Sequence, residues 1–301
     1  MEFNFIKPAK YFFFLSAILT IVSIVLVFKP GPRLSLEFTG GTRMELSVNA
    51  TNTPATAVTD ALKNFPGESL SATVNKMQNG SFLIRMKGID DETHKALLTY
   101  LKTKLGPVTQ DQYTTIGPTV GATLKTRALY AILAASFGII VYLAFAFRKI
   151  PRKYSPWKFG IVAVAALIHD VMVTTGIFTI LSYYTSFEVD TLFVTALLTI
   201  LGYSVNDTII IFDRIRDNLF VQERKESFAA VANHSINQVW KRSIYTSSAT
   251  LIMLFSLLLL GSNSIHWFVL TLIIGIIFGT YSSIFIAAPF LIFWNDRTRQ
   301  S

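Results

Sequence analysis

Two carboxylates and one arginine in this chain stand beside or inside runs that are otherwise apolar. Asp207 lies in Gly202-Tyr203-Ser204-Val205-Asn206-Asp207-Thr208, within a stretch made mostly of Leu, Ile, Val and Phe. Asp170 follows His169 in a second such stretch. Arg242 stands at the mouth of a third, and Thr246, Ser247, Ser248 and Thr250 after it predict a polar stripe on one side of that helix. An ionisable side chain inside a membrane span is expensive and defaults to a functional reading. Shielding from water disfavours the charged form of a carboxyl, and a nearby guanidinium favours it. A group held between those two influences can load and unload a proton. Asp207 with Arg242 is therefore the candidate ion relay. Asp170, and Asn206 and Thr208 beside Asp207, are candidate supporting residues. The competing reading of the same residues is a static salt bridge or a hydrogen-bonded packing group.

Other chemistries fit badly. Intramembrane aspartyl proteases need two facing Asp residues, usually in Gly-x-Gly-Asp, and Asp207 follows Ser-Val-Asn. The four His residues are scattered and form no zinc motif. The absence of Cys excludes disulfides, thiolate metal sites and iron–sulfur clusters. No Walker loop marks an ATP site. The expectation is a protein that is not an enzyme and carries no cofactor or metal.

The elements that must position these residues are membrane helices. Of 301 residues, 51% are hydrophobic and 15% charged, well below the roughly 25% charged of a soluble domain. Six stretches meet the requirement of roughly 20 mostly apolar residues for a span. They are Tyr11–Phe28, Ala128–Phe147, Phe159–Tyr183, Thr191–Phe212, Ser243–Ser262 and Trp267–Trp294. Asp170 is the one charge in the third and Asp207 the one charge in the fourth. The first run is longer than the apolar core of a signal peptide and no A-x-A site follows it, so it reads as an uncleaved anchor.

The net charge of +9, from 27 Lys and Arg against 18 Asp and Glu, sets an orientation rather than nucleic-acid binding. Lys7 and Lys10 precede the first span. Arg148, Lys149, Arg152, Lys153 and Lys158 fill the loop between the second and third. Arg214, Arg216, Arg224, Lys225, Lys241 and Arg242 lie between the fourth and fifth, and Arg297 and Arg299 follow the last. All fall on one side if both termini are cytoplasmic. The chain then divides into residues 1–28 (cytoplasmic N-terminus and first span), 29–126 (an extracytoplasmic insert) and 127–301 (a five-helix bundle with cytoplasmic loops and tail).

The insert reads as a small α+β domain. Thr42–Asn49 alternates as a strand, with Met44, Leu46 and Val48 on one face. Thr53 as N-cap and Pro54 as first residue open a helix to about Phe65. Leu70–Met77 and Ser81–Lys87 read as strands joined by a Gln78-Asn79-Gly80 turn. Asp90–Leu105 is a second helix, acidic at its start and basic at its end as the dipole prefers, and Thr109–Ile116 a last strand. The order β-α-β-β-α-β is that of a ferredoxin-like unit. His94 reads as an ordinary solvated residue. The fold class expected is thus a polytopic α-helical membrane protein: six transmembrane helices with one extracytoplasmic ferredoxin-like α+β domain between the first two. Gly275 and Gly279 form a Gly-x-x-x-Gly in the last span, with Ser282 and Ser283 one turn on, a pattern that lets helices approach closely. Arg214–Trp240 reads as an amphipathic connection lying along the membrane surface or docking a partner.

Several of these stretches together resemble the SecF family of the Sec protein-export machinery. Glu37-Phe38-Thr39-Gly40-Gly41 resembles the family's Gly-x-Asp-Phe-x-Gly-Gly, with Ser35 where the family usually has Gly and Glu37 where it has Asp. Ile116-Gly117-Pro118-Thr119-Val120-Gly121 resembles its motif before the second span, and His169-Asp170-Val171 its third span. The most specific likeness is Leu201 through Thr208, continued by Phe212-Asp213-Arg214-Ile215-Arg216-Asp217-Asn218. Ser235-Ile236-Asn237-Gln238 and Arg242-Ser243 resemble the approach to the fifth span.

The resemblance implies a subunit related to half of a resistance–nodulation–division transporter, in the plasma membrane of a bacterium. Six spans are similar to SecF alone rather than to the fused SecD–SecF form, so it implies a separate SecD partner. It further implies assistance to the SecYEG channel and the SecA motor in moving unfolded preprotein, driven by the proton-motive force or, in some members, a sodium gradient. By that likeness Asp207 and Arg242 belong to the ion relay, and a matching Asp comes from SecD. Two other readings remain: a passive scaffold holding SecD to the channel, and half of an exporter for small lipophilic molecules.

Overall fold

The computed structural model describes residues 3–48, 53–66, 70–77, 80–149, 154–222 and 227–300. They divide into two compact units, one of Met1–Arg33 with Leu129–Ser301, the other of Leu34–Ala128.

The larger unit is helical. α1 (Ala9–Phe28) is followed, after the smaller unit's elements, by α5 (Pro118–Ala146), α6 (Pro156–Tyr184), α7 (Thr191–Gln222), α8 (Phe228–Leu260), α9 (His266–Ser282) and α10 (Ala288–Gln300). A π-helical segment, Ser283–Ala287, joins α9 to α10. Six helices are long and apolar enough to cross a membrane, the last being the continuous run Asn263–Asn295. The chain is therefore a multi-pass membrane protein. Their burial is unequal: 56% of the apolar window of α6 is buried and only 6% of that of α5. α6, α7 and the last run form the centre, and α1, α5 and α8 present apolar faces outward, as a surface facing lipid or partner helices does.

α7 has 32 residues and so runs about 48 Å, well beyond the ~30 Å apolar core of a bilayer. The stretch Arg214–Trp240 is accordingly no separate surface helix. Its first part continues α7 and its last part begins α8, with residues 223–226 outside the described set. Phe228, Val231 and Ile236 are buried against Phe212, Ile215 and Leu219. Asn218 Nδ2 donates to Ser235 Oγ and Gln238 Oε1, each at 2.9 Å, and Arg214 Nε also donates to Gln238 Oε1. These bonds tie the ends of α7 and α8 into a hairpin.

The smaller unit comprises a four-residue helix α2 (Leu36–Thr39), β1 (Gly41–Val48), α3 (Ala55–Lys63), β2 (Ala72–Lys76), β3 (Phe82–Met86), α4 (Asp91–Leu105) and β4 (Val108–Ile116). The strands form one antiparallel sheet in the order β2-β3-β1-β4. Period-two alternation places Met44 and Leu46 of β1 beside Phe82, Ile84 and Met86 of β3. Val58 and Leu62 from α3 and Leu97 and Leu101 from α4 close the core over them.

Local chemistry sets the helix ends. Asp90 caps α4 by accepting from Thr93 N at 2.8 Å, and that bond holds its carboxyl below the usual carboxylate range. α3 starts one residue later than expected. Pro54 is its N-cap with ψ 150°, so Thr53 is not the cap. The turn at Gln78-Asn79 lies outside the described residues, though β2 and β3 pair as its flanks require. His94 is not a solvated residue. It is half-buried, its ring stacks on Tyr113 at 3.7 Å, and its Nε2 is 2.7 Å from Gln110 Oε1.

The two glycine motifs meet inside this unit. Gly40 has φ +70°, and a Cβ there would lie 2.9 Å from Pro118 Cα. A Cβ on Gly121 would lie 2.9 Å from Gly40 N. Backbone touches backbone at this point, so neither Gly40 nor Gly121 has room for a side chain. Ser35, with φ −70°, needs no glycine, and its hydroxyl accepts from Glu37 N at 3.3 Å to cap α2.

Candidate functional site

Asp170 stands near the midpoint of α6 and Asp207 near the midpoint of α7. Both side chains turn inward: Asp170 is 0% exposed and Asp207 1%. What brings the third helix to them is the Gly-x-x-x-Gly of α9. A Cβ on Gly275 would fall 2.1 Å from Ile200 Cδ1, and one on Gly279 would fall 2.9 Å from Ser204 Cβ. The pair therefore packs α9 directly on α7, as small residues do in membrane bundles.

That approach places a ladder of hydroxyls opposite the acids. Ser204 Oγ, one turn before Asp207, donates to Asp170 Oδ2 at 2.5 Å. Ser282 Oγ donates to the same oxygen at 2.8 Å. Asp170 Oδ1 is 2.9 Å from Nδ1 of its neighbour His169, whose Nε2 is buried with no partner among the described residues. Thr208 Oγ1 and Ser283 Oγ are 2.8 Å apart, and Ser283 belongs to the π-helical segment. An extra residue in a helical turn rotates the side chains that follow it, and such segments recur at functional sites.

Asp207 is held differently. Its Oδ2 accepts from Thr280 Oγ1 at 3.4 Å and from Ser247 Oγ at 3.5 Å, both at the edge of hydrogen-bond distance. Those two hydroxyls are only 2.6 Å from each other, and Tyr203 Oη donates to Ser247 at 3.3 Å and to Thr250 at 3.4 Å. Ser243, one turn before Ser247, is fully buried, and its hydroxyl also acts on the Asp207 carboxyl.

Of the residues expected at the site, the structure brings together Asp170, Asp207 and Thr208. Asn206 is exposed on α7, turned away from the buried layer. Arg242 is exposed on α8, and no ion pair joins it to Asp207 among the described residues. The polar stripe of α8 is Ser243, Ser247 and Thr250. Thr246 and Ser248 are exposed, because each residue advances about 100° around a helix and 246 to 248 cannot share a face. Ser204, Thr280, Ser282 and Ser283 complete the layer. Ser282 and Ser283 carried a sequence signal through their place after the glycine pair. Ser204 lies in the Leu201–Thr208 stretch with no role assigned to it there, and Thr280 carried no signal.

Six apolar helices around a buried layer of two carboxyls and their hydroxyl partners define a polytopic membrane protein with an ionisable core. Two family models match the chain: "SecD/SecF GG Motif" over residues 25–51 and "Protein export membrane protein SecD/SecF, C-terminal" over residues 97–297. The protein translocase subunit SecF of Thermobaculum terrenum is 37% identical over 95% of this chain and 92% of its own length. The protein translocase subunit SecDF of Bacillus subtilis is 33% identical over 98% of this chain and 38% of that protein. The crystal structure of SecDF from Thermus thermophilus superimposes with a TM-score of 0.81 at 33% identity, covering 99% of this chain and 39% of that one. The chain belongs to the SecD/SecF protein-export family.

Proposed function

We propose that this chain is a non-enzymatic accessory subunit of the preprotein translocase, coupling an ion gradient to protein export together with a separate SecD partner. The fused SecDF relatives, of which this chain spans little more than a third, support that pairing. In this reading the protein sits in a bacterial plasma membrane with both termini cytoplasmic. The insert at residues 29–126 is then an extracytoplasmic domain, and its strand order supports the ferredoxin-like assignment. The subunit acts beside the SecYEG channel and the SecA motor on unfolded preprotein.

The observation that carries the proposal is the state of Asp207. It is enclosed, yet the hydroxyl bonds that its Oδ2 accepts from Thr280 and Ser247 are long, 3.4 and 3.5 Å. An acid held so weakly can change its protonation or ion occupancy without breaking a strong bond. Arg242, exposed on α8, is then the group offered to a carboxylate of the partner, and Asp170, Asn206 and Thr208 support the relay. Moving one charge through about 100 mV is worth roughly 2.3 kcal/mol, a bias of about 50-fold on a two-state step. The scaffold alternative invoked a locked Asp207–Arg242 pair, and no such pair lies among the described residues.

The test is Asp207→Asn in vesicles that hold the chain with its partner and the channel. The variant should fold and assemble while losing the stimulation of export by an imposed gradient. Full stimulation in a well-assembled variant overturns the relay.

A further inference from the structure

The end of the helical unit that carries its N-terminus holds a groove that the relay does not use. Its volume is about 1040 Å³, and Asn4, Lys7, Lys10, Asn233, His234 and Phe293 are among the residues that line it. No carboxylate is present among its described lining residues. The rim is rigid. Asn233 Oδ1 accepts from Phe5 N at 2.9 Å and its Nδ2 donates to Phe3 O at 3.2 Å. Asn237 repeats the pattern on Phe3, with N to Oδ1 at 2.9 Å and Nδ2 to O at 2.8 Å. Two side-chain amides thus hold the N-terminal segment to α8 through its backbone groups. Asn4 Oδ1 accepts from Lys7 N at 3.0 Å, which folds the turn that carries the lysines. The lysine side chains are exposed and have no acidic partner among the described residues.

Phe293 belongs also to a second groove, of about 480 Å³, lined by Phe13, Phe290, Phe293 and Trp294. It runs between α1 and α10, along membrane-crossing helices, and its described walls are aromatic. A polar, positively charged pocket that shares Phe293 with an apolar slot beside the spans fits an amphipathic anion. We propose that this composite groove binds one anionic phospholipid, its phosphate between Lys7 and Lys10 and an acyl chain against Phe13, Phe290 and Phe293. Charge complementarity selects the head group, and the aromatic slot selects a lipid over a free phosphate.

The proposal is independent of the export reading and is tested on the full chain in detergent after delipidation. Native mass spectrometry would count retained dioleoylphosphatidylglycerol against dioleoylphosphatidylcholine. The wild type should prefer the glycerol lipid, and added salt should weaken that preference. Lys7→Gln with Lys10→Gln should weaken its binding about 30-fold, at roughly five-fold per basic residue. Lys7→Arg with Lys10→Arg should retain the preference, and Arg148→Gln, elsewhere on the unit, should leave it unchanged. Equal retention of the two lipids by the wild type overturns the proposal. So does an undiminished preference in the double Gln variant with a normal circular dichroism spectrum. Displacement of the lipid by millimolar inorganic phosphate would reassign the groove to a soluble anion.

Discussion

Asp170 Oδ2 accepts two hydroxyls, and this makes a sharp prediction about how their removal combines. Ser204 and Ser282 approach the same oxygen at 2.5 and 2.8 Å from two different helices. Hydrogen bonds between membrane helices average about 0.6 kcal/mol and reach about 1.7. Short bonds to a buried carboxyl belong near the upper end, so Ser204→Ala and Ser282→Ala should each cost about 1 to 1.5 kcal/mol. In either single variant the oxygen keeps one donor. In the double variant it keeps none, in a site that is fully buried. A buried acceptor left unsatisfied costs about 1–3 kcal/mol beyond the bonds themselves. The double variant should therefore lose about 3–6 kcal/mol, exceeding the sum of the singles by at least about 1. Reversible unfolding in mixed micelles, with rising dodecyl sulfate and tryptophan fluorescence as the probe, measures all three. A double variant within ~0.5 kcal/mol of the sum would show that the oxygen finds another donor, and the clamp on α6, α7 and α9 would be refuted.

Two more outcomes follow from the smaller unit. Gly40→Ala places a side chain at φ +70° and ψ 168°, and its Cβ within 2.9 Å of Pro118 Cα, so it should cost at least about 2 kcal/mol, read as earlier proteolysis of the insert on heating. Asp90→Ala should lower the melting temperature of that unit at neutral pH but not in strong acid. The Asp90 carboxyl is held below its ordinary value by its bond to Thr93, so its contribution is present above the unfolded-state value and is lost as pH falls through the folded one. The two melting curves should converge there.

The six spans were legible because a bilayer demands long uninterrupted apolar runs, and this sequence supplies them. The strands of the insert were legible because Met44 and Leu46 alternate with polar residues and Phe82-Leu83-Ile84 is a short apolar run after a turn. The end of a helix was harder to place. Thr53 carries a capping side chain, yet Pro54 takes an extended ψ and delays the helix by one residue. α2 is too short for any periodicity, and nothing in Ser283-Ile284-Phe285-Ile286-Ala287 announces a π-helical turn. The acids themselves stood out as charges in apolar runs. Ser247 and Ser282 were visible as polar residues, but their pairing was not, because which hydroxyl faces which carboxyl depends on how α9 crosses α7. Gly275 and Gly279 set that crossing, but a glycine pair fixes closeness without naming what it brings close. His94 was misjudged for a related reason. Its partners, Gln110 and Tyr113, lie on β4, distant in sequence.

The two acids of the polar layer differ in how completely they are satisfied, and this separates their roles. Asp170 has both oxygens engaged at 2.5 to 2.9 Å, by groups from three helices counting its own. A change in its charge would disturb all of those contacts together, so it acts as a fixed brace between helices. Asp207, under the same degree of burial, has one oxygen engaged, at 3.4 and 3.5 Å, by hydroxyls that bond more closely to each other. Those hydroxyls can rotate between donating to the carboxyl and donating along their own chain. The cost of altering Asp207 is correspondingly small. If a gradient is to act on this chain, the acid it acts on is the one with loose bonds, and the rigid acid beside it keeps the helices in place while it does so.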